Sequence, residues 1–132
     1  VRIREYTEAD LDALRAMHAQ QGFAYAFPEL RDPIFVSKLV LEDDDARPVM
    51  ASLARLTCEA YLLADPAAGT PRERLARLLA LESAATRDAR ARGLEDAHAW
   101  LPPPIARRFG RRLAGLGWTR DDGWTPYSKR LL

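Results

Sequence analysis

The chain has 132 residues, 48% hydrophobic and 30% charged, which suits one compact domain burying roughly two-thirds of the surface its unfolded form exposes. This excludes a short disulfide-stapled module, a two-domain enzyme and a disordered tail. Twenty basic against 19 acidic residues leave a net charge of +1, so no global field draws the molecule to nucleic acid or anionic lipid.

A single cysteine, Cys58, forbids an internal disulfide; with only two histidines it also argues against a structural metal and suits a reducing cytoplasm. No apolar run approaches the ~20 residues that span a bilayer. The stretch from Val1 to Glu5 lacks the apolar core and cleavage site of a signal peptide. A soluble cytoplasmic protein without membrane contact is expected.

In chain order, Arg2 to Tyr6 reads as a short strand. Thr7-Glu8-Ala9-Asp10 then opens a helix, with the Thr7 hydroxyl placed to accept from the Asp10 amide and an apolar stripe of Leu11, Leu14, Met17 and His18. Gly22 ends it. Phe23, Tyr25 and Phe27 form an irregular aromatic stretch that either plugs one end of the core or lines a pocket mouth. Ile34 to Leu41 and Val49 to Leu56 predict a hairpin around the acidic run 42–45, which reads as a solvated turn. Thr57 to Ala64 follows directly, so three antiparallel strands in succession are expected.

Thr70-Pro71-Arg72-Glu73 is a capping box with proline at the first helical position. It opens a helix carrying Leu75, Leu78, Leu79, Ala85 and Ala89 and stopping at Gly93. Asp96 to Leu101 alternates as a strand, and three prolines fix its exit. Ile105, Phe109, Leu113 and Leu116 stand at helical spacing on the next element, with Arg107, Arg108, Arg111 and Arg112 on the remaining faces. Gly117 closes that helix. Trp118 to Arg130 predicts a hairpin around Asp122-Gly123, with Pro126 at an edge.

This order of elements resembles the GNAT superfamily of acyl-CoA-dependent N-acetyltransferases. Ile3 to Leu11 is similar to the family's first strand and helix entry, and Glu59-Ala60-Tyr61-Leu62-Leu63-Ala64-Asp65-Pro66 to its fourth strand and cofactor loop. Leu113-Ala114-Gly115-Leu116-Gly117-Trp118, with Trp124 to Lys129, is similar to the helix ending in a glycine-aromatic pair and the last strand. The likeness spans the whole chain, 1–132, and lies in the succession of motifs rather than in any one of them.

The resemblance implies an α/β (α+β) fold: a mixed, mainly antiparallel sheet flanked by helices, with strands 4 and 5 splayed. It implies acetyl-CoA as co-substrate, with the backbone of Leu62, Leu63 and Ala64 holding pantetheine. Ala68, Gly69, Thr70, Arg72 and Arg74 would hold the pyrophosphate at a helix tip. The acceptor would be a small-molecule or peptide amine, with Phe23, Tyr25 and Phe27 lining its pocket.

The chain departs from the family twice. Its loop offers one glycine and a proline where the family has alternating glycines. Leu113 and Ala106 stand where many members carry a tyrosine acid and an asparagine. A protonated amine must lose a proton before it attacks a thioester. Two residues suit that proton transfer. Glu59 stands where some members carry a general base, and His98 lies on the fifth strand with an imidazole that changes charge near neutrality.

Cys58 lacks activating partners and reads as a small strand residue. Two other readings stand beside the enzyme. One is a domain of the same shape that binds or regulates without catalysis. The other is a nucleic-acid-binding module built on the arginines between Ala97 and Arg120; the near-zero net charge and arginines distributed around the helix argue against it.

Overall fold

A computed structural model describes residues 1–132. The chain divides into two units, Val1–Cys58 with Arg92–Ala97 and Glu59–Ala91 with His98–Leu132. It is a mixed α+β protein with three helices, a three-stranded antiparallel sheet and a two-stranded parallel one.

The first unit holds β1 (Arg2–Glu5), a 3-10 turn (Glu8–Asp10), α1 (Leu11–Gln21), β2 (Phe35–Glu42) and β3 (Pro48–Arg55). The sheet order is β1-β2-β3, with Ile3 opposite Leu41 and Leu39 opposite Ser52. Its core is Leu14, Leu30 and Val40, joined by Leu11, Phe27 and Leu53. The Thr7 amide donates to the Asp10 carboxylate at 2.8 Å, and the Asp10 amide donates to the Thr7 carbonyl at 2.9 Å. Gly22 stops α1 with φ +70°, a left-handed turn that glycine adopts without a Cβ clash.

The acidic run is more than a solvated turn. Asp43 Oδ1 accepts from the amides of Asp45 and Arg47, both at 3.0 Å, and so closes the β2–β3 connection with its own side chain. Beneath the sheet, Arg4 grips the Asp10 carboxylate with both terminal nitrogens, at 2.8 and 2.7 Å, and donates to Glu42 Oε1 at 2.5 Å. Asp10 and Glu42 are both buried, so this network ties β1, the 3-10 turn and β2 together.

The second unit contains α2 (Pro71–Ala91) and α3 (Pro103–Gly115). The Thr70 capping box forms as expected: the Thr70 amide donates to Glu73 Oε2 at 2.8 Å and the Glu73 amide to Thr70 Oγ1 at 3.2 Å. At the end of α3 the Trp118 amide reaches the Leu113 carbonyl and the Gly117 amide the Ala114 carbonyl, with Gly117 at φ +91°. That is a Schellman stop.

Five expectations are corrected. The strand expected over 57–64 is only β4 (Cys58–Glu59), and the one over 96–101 only β5 (Ala97–His98). β4 does not continue the antiparallel succession but pairs with β5 in a separate sheet. Only Leu56 and Thr57 separate β3 from β4, and a two-residue reversal needs positive φ, which a leucine and a β-branched threonine resist. The closing hairpin is absent, with only a turn at Asp122-Gly123 and no strand after α3. Finally, Arg107, Arg108, Arg111 and Arg112 do not surround α3. At 100° per residue they fall within one arc of about 140°, with Arg112 at the edge of the arc of about 80° that holds Ile105, Phe109, Leu113 and Leu116.

Candidate functional site

The site is built where β4 and β5 stop pairing. The Cys58 amide donates to the Asp96 carbonyl at 3.3 Å, and the Ala60 amide to the His98 carbonyl at 2.7 Å. Both strands advance by two residues between these bonds, so they are parallel and Glu59 stands opposite His98 with its side chain on the same face. The sequence placed both residues on neighbouring strands; the register makes them a pair.

Beyond Ala60 the pairing ends, and the amides of Leu62, Leu63 and Ala64 make no backbone hydrogen bond. The stretch from Leu62 to Ala64 therefore carries three backbone donors without a backbone acceptor. Tyr61, two residues beyond Glu59, shares its face. The Glu59 carboxylate beside it, through a hydrogen bond and its charge, raises the Tyr61 pKa above the ordinary phenol value. Sequence reasoning missed Tyr61. Its signal was the period of two that carries Glu59 onto Tyr61.

Beside this segment lies an open cavity of about 460 Å³, lined in part by the exposed side chains of Leu62, Leu63 and Leu81 and within the range of ligand pockets. Leu62, Leu63 and Ala64 form one wall; Leu75, Leu78 and Leu81 of α2 form another, and Phe109 of α3 a third. Its polar lining is Asp65 and three arginines, Arg74, Arg77 and Arg112. Asp65 is committed to its own loop, accepting from the Ala67 amide at 2.9 Å through Oδ1.

Several of the cofactor residues expected at the helix tip have other partners, although the amides of Gly69 and Arg72 do not. The Thr70 and Glu73 amides serve the capping box, the Ala68 amide donates to the Asp65 carbonyl at 3.3 Å, and Pro71 has no amide hydrogen. Arg74 Nη1 donates to the Gly69 carbonyl at 2.6 Å and Arg77 Nη1 to the Ala68 carbonyl at 3.2 Å. A Cβ on Gly69 would lie 2.6 Å from Glu73 Oε2, so side chains fold closely over this glycine. Ala68 and Arg74 line the cavity, whereas Gly69, Thr70 and Arg72 do not.

In the first unit, Tyr25 and Phe27 line a separate cavity of about 800 Å³ with His18 and Met17 of α1. Phe23 stacks on Tyr25 at 5.2 Å without lining the cavity. Both readings of the aromatic stretch hold a share, because Phe27 also packs against the core. No family model matches the sequence, and neither a curated protein nor a solved structure matches the chain.

Proposed function

We propose that this chain is an acyl-CoA-dependent N-acetyltransferase, moving the acetyl group of acetyl-CoA to a primary amine. The observation that carries the reading is the parallel pair that ends at Glu59 and His98, followed by free amides over a largely apolar cavity. A pantetheine arm suits that wall, since its amide carbonyls can accept from the Leu62 to Ala64 backbone while its methylenes lie against leucines.

In the reaction the Glu59 and His98 pair takes a proton from the acceptor ammonium, and the freed nitrogen lone pair forms a bond to the thioester carbonyl carbon. As the C–S bond breaks, the departing sulfur keeps the electron pair and takes up a proton, and the acylated nitrogen releases its second proton to leave a neutral amide. Free strand amides could stabilise the developing oxyanion. Tyr61 adds a phenol next to Glu59, whose carboxylate makes it a weaker acid than an ordinary tyrosine.

A second reading, the same fold binding without catalysis, is favoured by the self-capped start of α2 and by Leu113 and Ala106 on the apolar side of α3. Release of free thiol from acetyl-CoA, measured against a panel of primary amines, separates the two. The enzyme reading expects amine-dependent thiol release that the Glu59→Gln/His98→Gln double variant loses. Binding of acetyl-CoA without release on any amine supports the second reading.

A further inference from the structure

Resting on that reading, we infer that the phosphates of the acyl-CoA are held by the guanidinium groups of Arg74, Arg77 and Arg112, and not by backbone amides at the start of α2. The tip of α2 disfavours an anion in two ways. Its Thr70 and Glu73 amides already have acceptors, leaving only those of Gly69 and Arg72 without one, and the acceptor on Thr70 is the Glu73 carboxylate, a negative charge beside the place a phosphate would take.

The arginines offer the reverse. Arg74 and Arg77 are three apart on α2, so they neighbour each other on one helix face, and both line the cavity with Arg112 of α3. Each of the α2 pair spends one nitrogen on a loop carbonyl, which fixes its position and leaves most of its five donors available. Arg112 has no carboxylate partner, and no acid occurs between Ala97 and Arg120. Three guanidinium groups and one carboxylate, Asp65, therefore line a cavity whose remaining lining is apolar, while the Glu73 carboxylate lies near Arg77 over Gly69. An apolar arm ending in phosphates matches that distribution, because guanidinium groups bind phosphate bidentately.

The test is calorimetric titration of the full chain with acetyl-CoA, its 3′-dephospho form and S-acetylpantetheine. The wild type and the Arg77→Gln, Arg112→Gln and Glu73→Ala variants are compared, with circular dichroism to verify folding. Each arginine substitution is expected to weaken acetyl-CoA about tenfold or more, while leaving S-acetylpantetheine within about twofold. Attenuation of the Arg112→Gln effect with the 3′-dephospho form assigns that arginine to the 3′-phosphate; an undiminished effect assigns it to the pyrophosphate. Glu73→Ala should leave acetyl-CoA affinity within about twofold.

Two outcomes overturn the inference while sparing the acetyltransferase reading: wild-type affinity in both folded arginine variants, or tighter binding in Glu73→Ala, which would mean that the freed tip receives the phosphate. Failure of the wild type to bind either acetyl-CoA or S-acetylpantetheine overturns the reading itself.

Discussion

Arg4 ties together two carboxylates that the fold has taken out of water. Its bidentate contact pulls the Asp10 carboxyl down to about 2 from an ordinary 3.8, with the Thr7 amide assisting against the cost of burial. Because the folded value lies below the unfolded one, the carboxylate stabilises the native state fully above about pH 4, and that contribution is lost as pH falls towards 2. Chemical denaturation across that interval should show a loss of about 2 kcal/mol, and Asp10→Asn should flatten the slope. Arg4→Met leaves both Asp10 and Glu42 buried without their cation, and should lower Tm on the order of 10 °C. Arg47→Met, in an exposed pair with Asp43, should cost far less. At the candidate site, Glu59→Gln or His98→Gln, whichever removes the base, should lower kcat/KM by about a hundredfold or more. Undiminished rates in both single variants and the double variant would contradict the assignment.

Elements were legible in the sequence where local chemistry decided them. The start of α2 was written in Thr70 to Glu73, and the ends of α1 and α3 in Gly22 and Gly117. The β2–β3 hairpin followed from two apolar runs and a turn. What escaped was decided by tertiary pairing. Lys38 is half-buried with its ammonium on the Leu30 carbonyl at 2.8 Å, while Val36 and Leu39 on the same strand are exposed, so hydrophobicity alone misassigns the faces of β2. The partner of β4 could not be read locally, since Thr57 to Ala64 has strand character whether it pairs with β3 or β5. The Glu59–His98 register and the cavity behind it depend on that partner. The capping box gives its own prediction: Thr70→Ala should cost about 1 kcal/mol of stability, measured by thermal denaturation, without weakening acetyl-CoA. On α3, Arg107 and Arg111 do not line the cavity. Glutamine at both positions should leave acetyl-CoA affinity within about twofold, in contrast to Arg112→Gln.

The two units differ in how they are held. The first has a buried cluster of Leu14, Leu30 and Val40 and a buried ionic network. The second has no fully buried residue, and its two long helices present only half-buried apolar faces. Composition could not reveal this division, because 48% hydrophobic residues are compatible with one core. Local opening free energy follows buried apolar contact, so amides of β2 should exchange with solvent more slowly than those of α2. A ligand that binds only the folded state should stabilise the second unit by mass action.

Hydrogen exchange with and without saturating acetyl-CoA tests whether a thioester-bearing arm lies along the free amides after β4. Slower exchange at Leu62, Leu63 and Ala64, with the amides of β2 and β3 unchanged, is the predicted result. Exchange at those three positions that is the same with and without acetyl-CoA would mean that no such arm lies there.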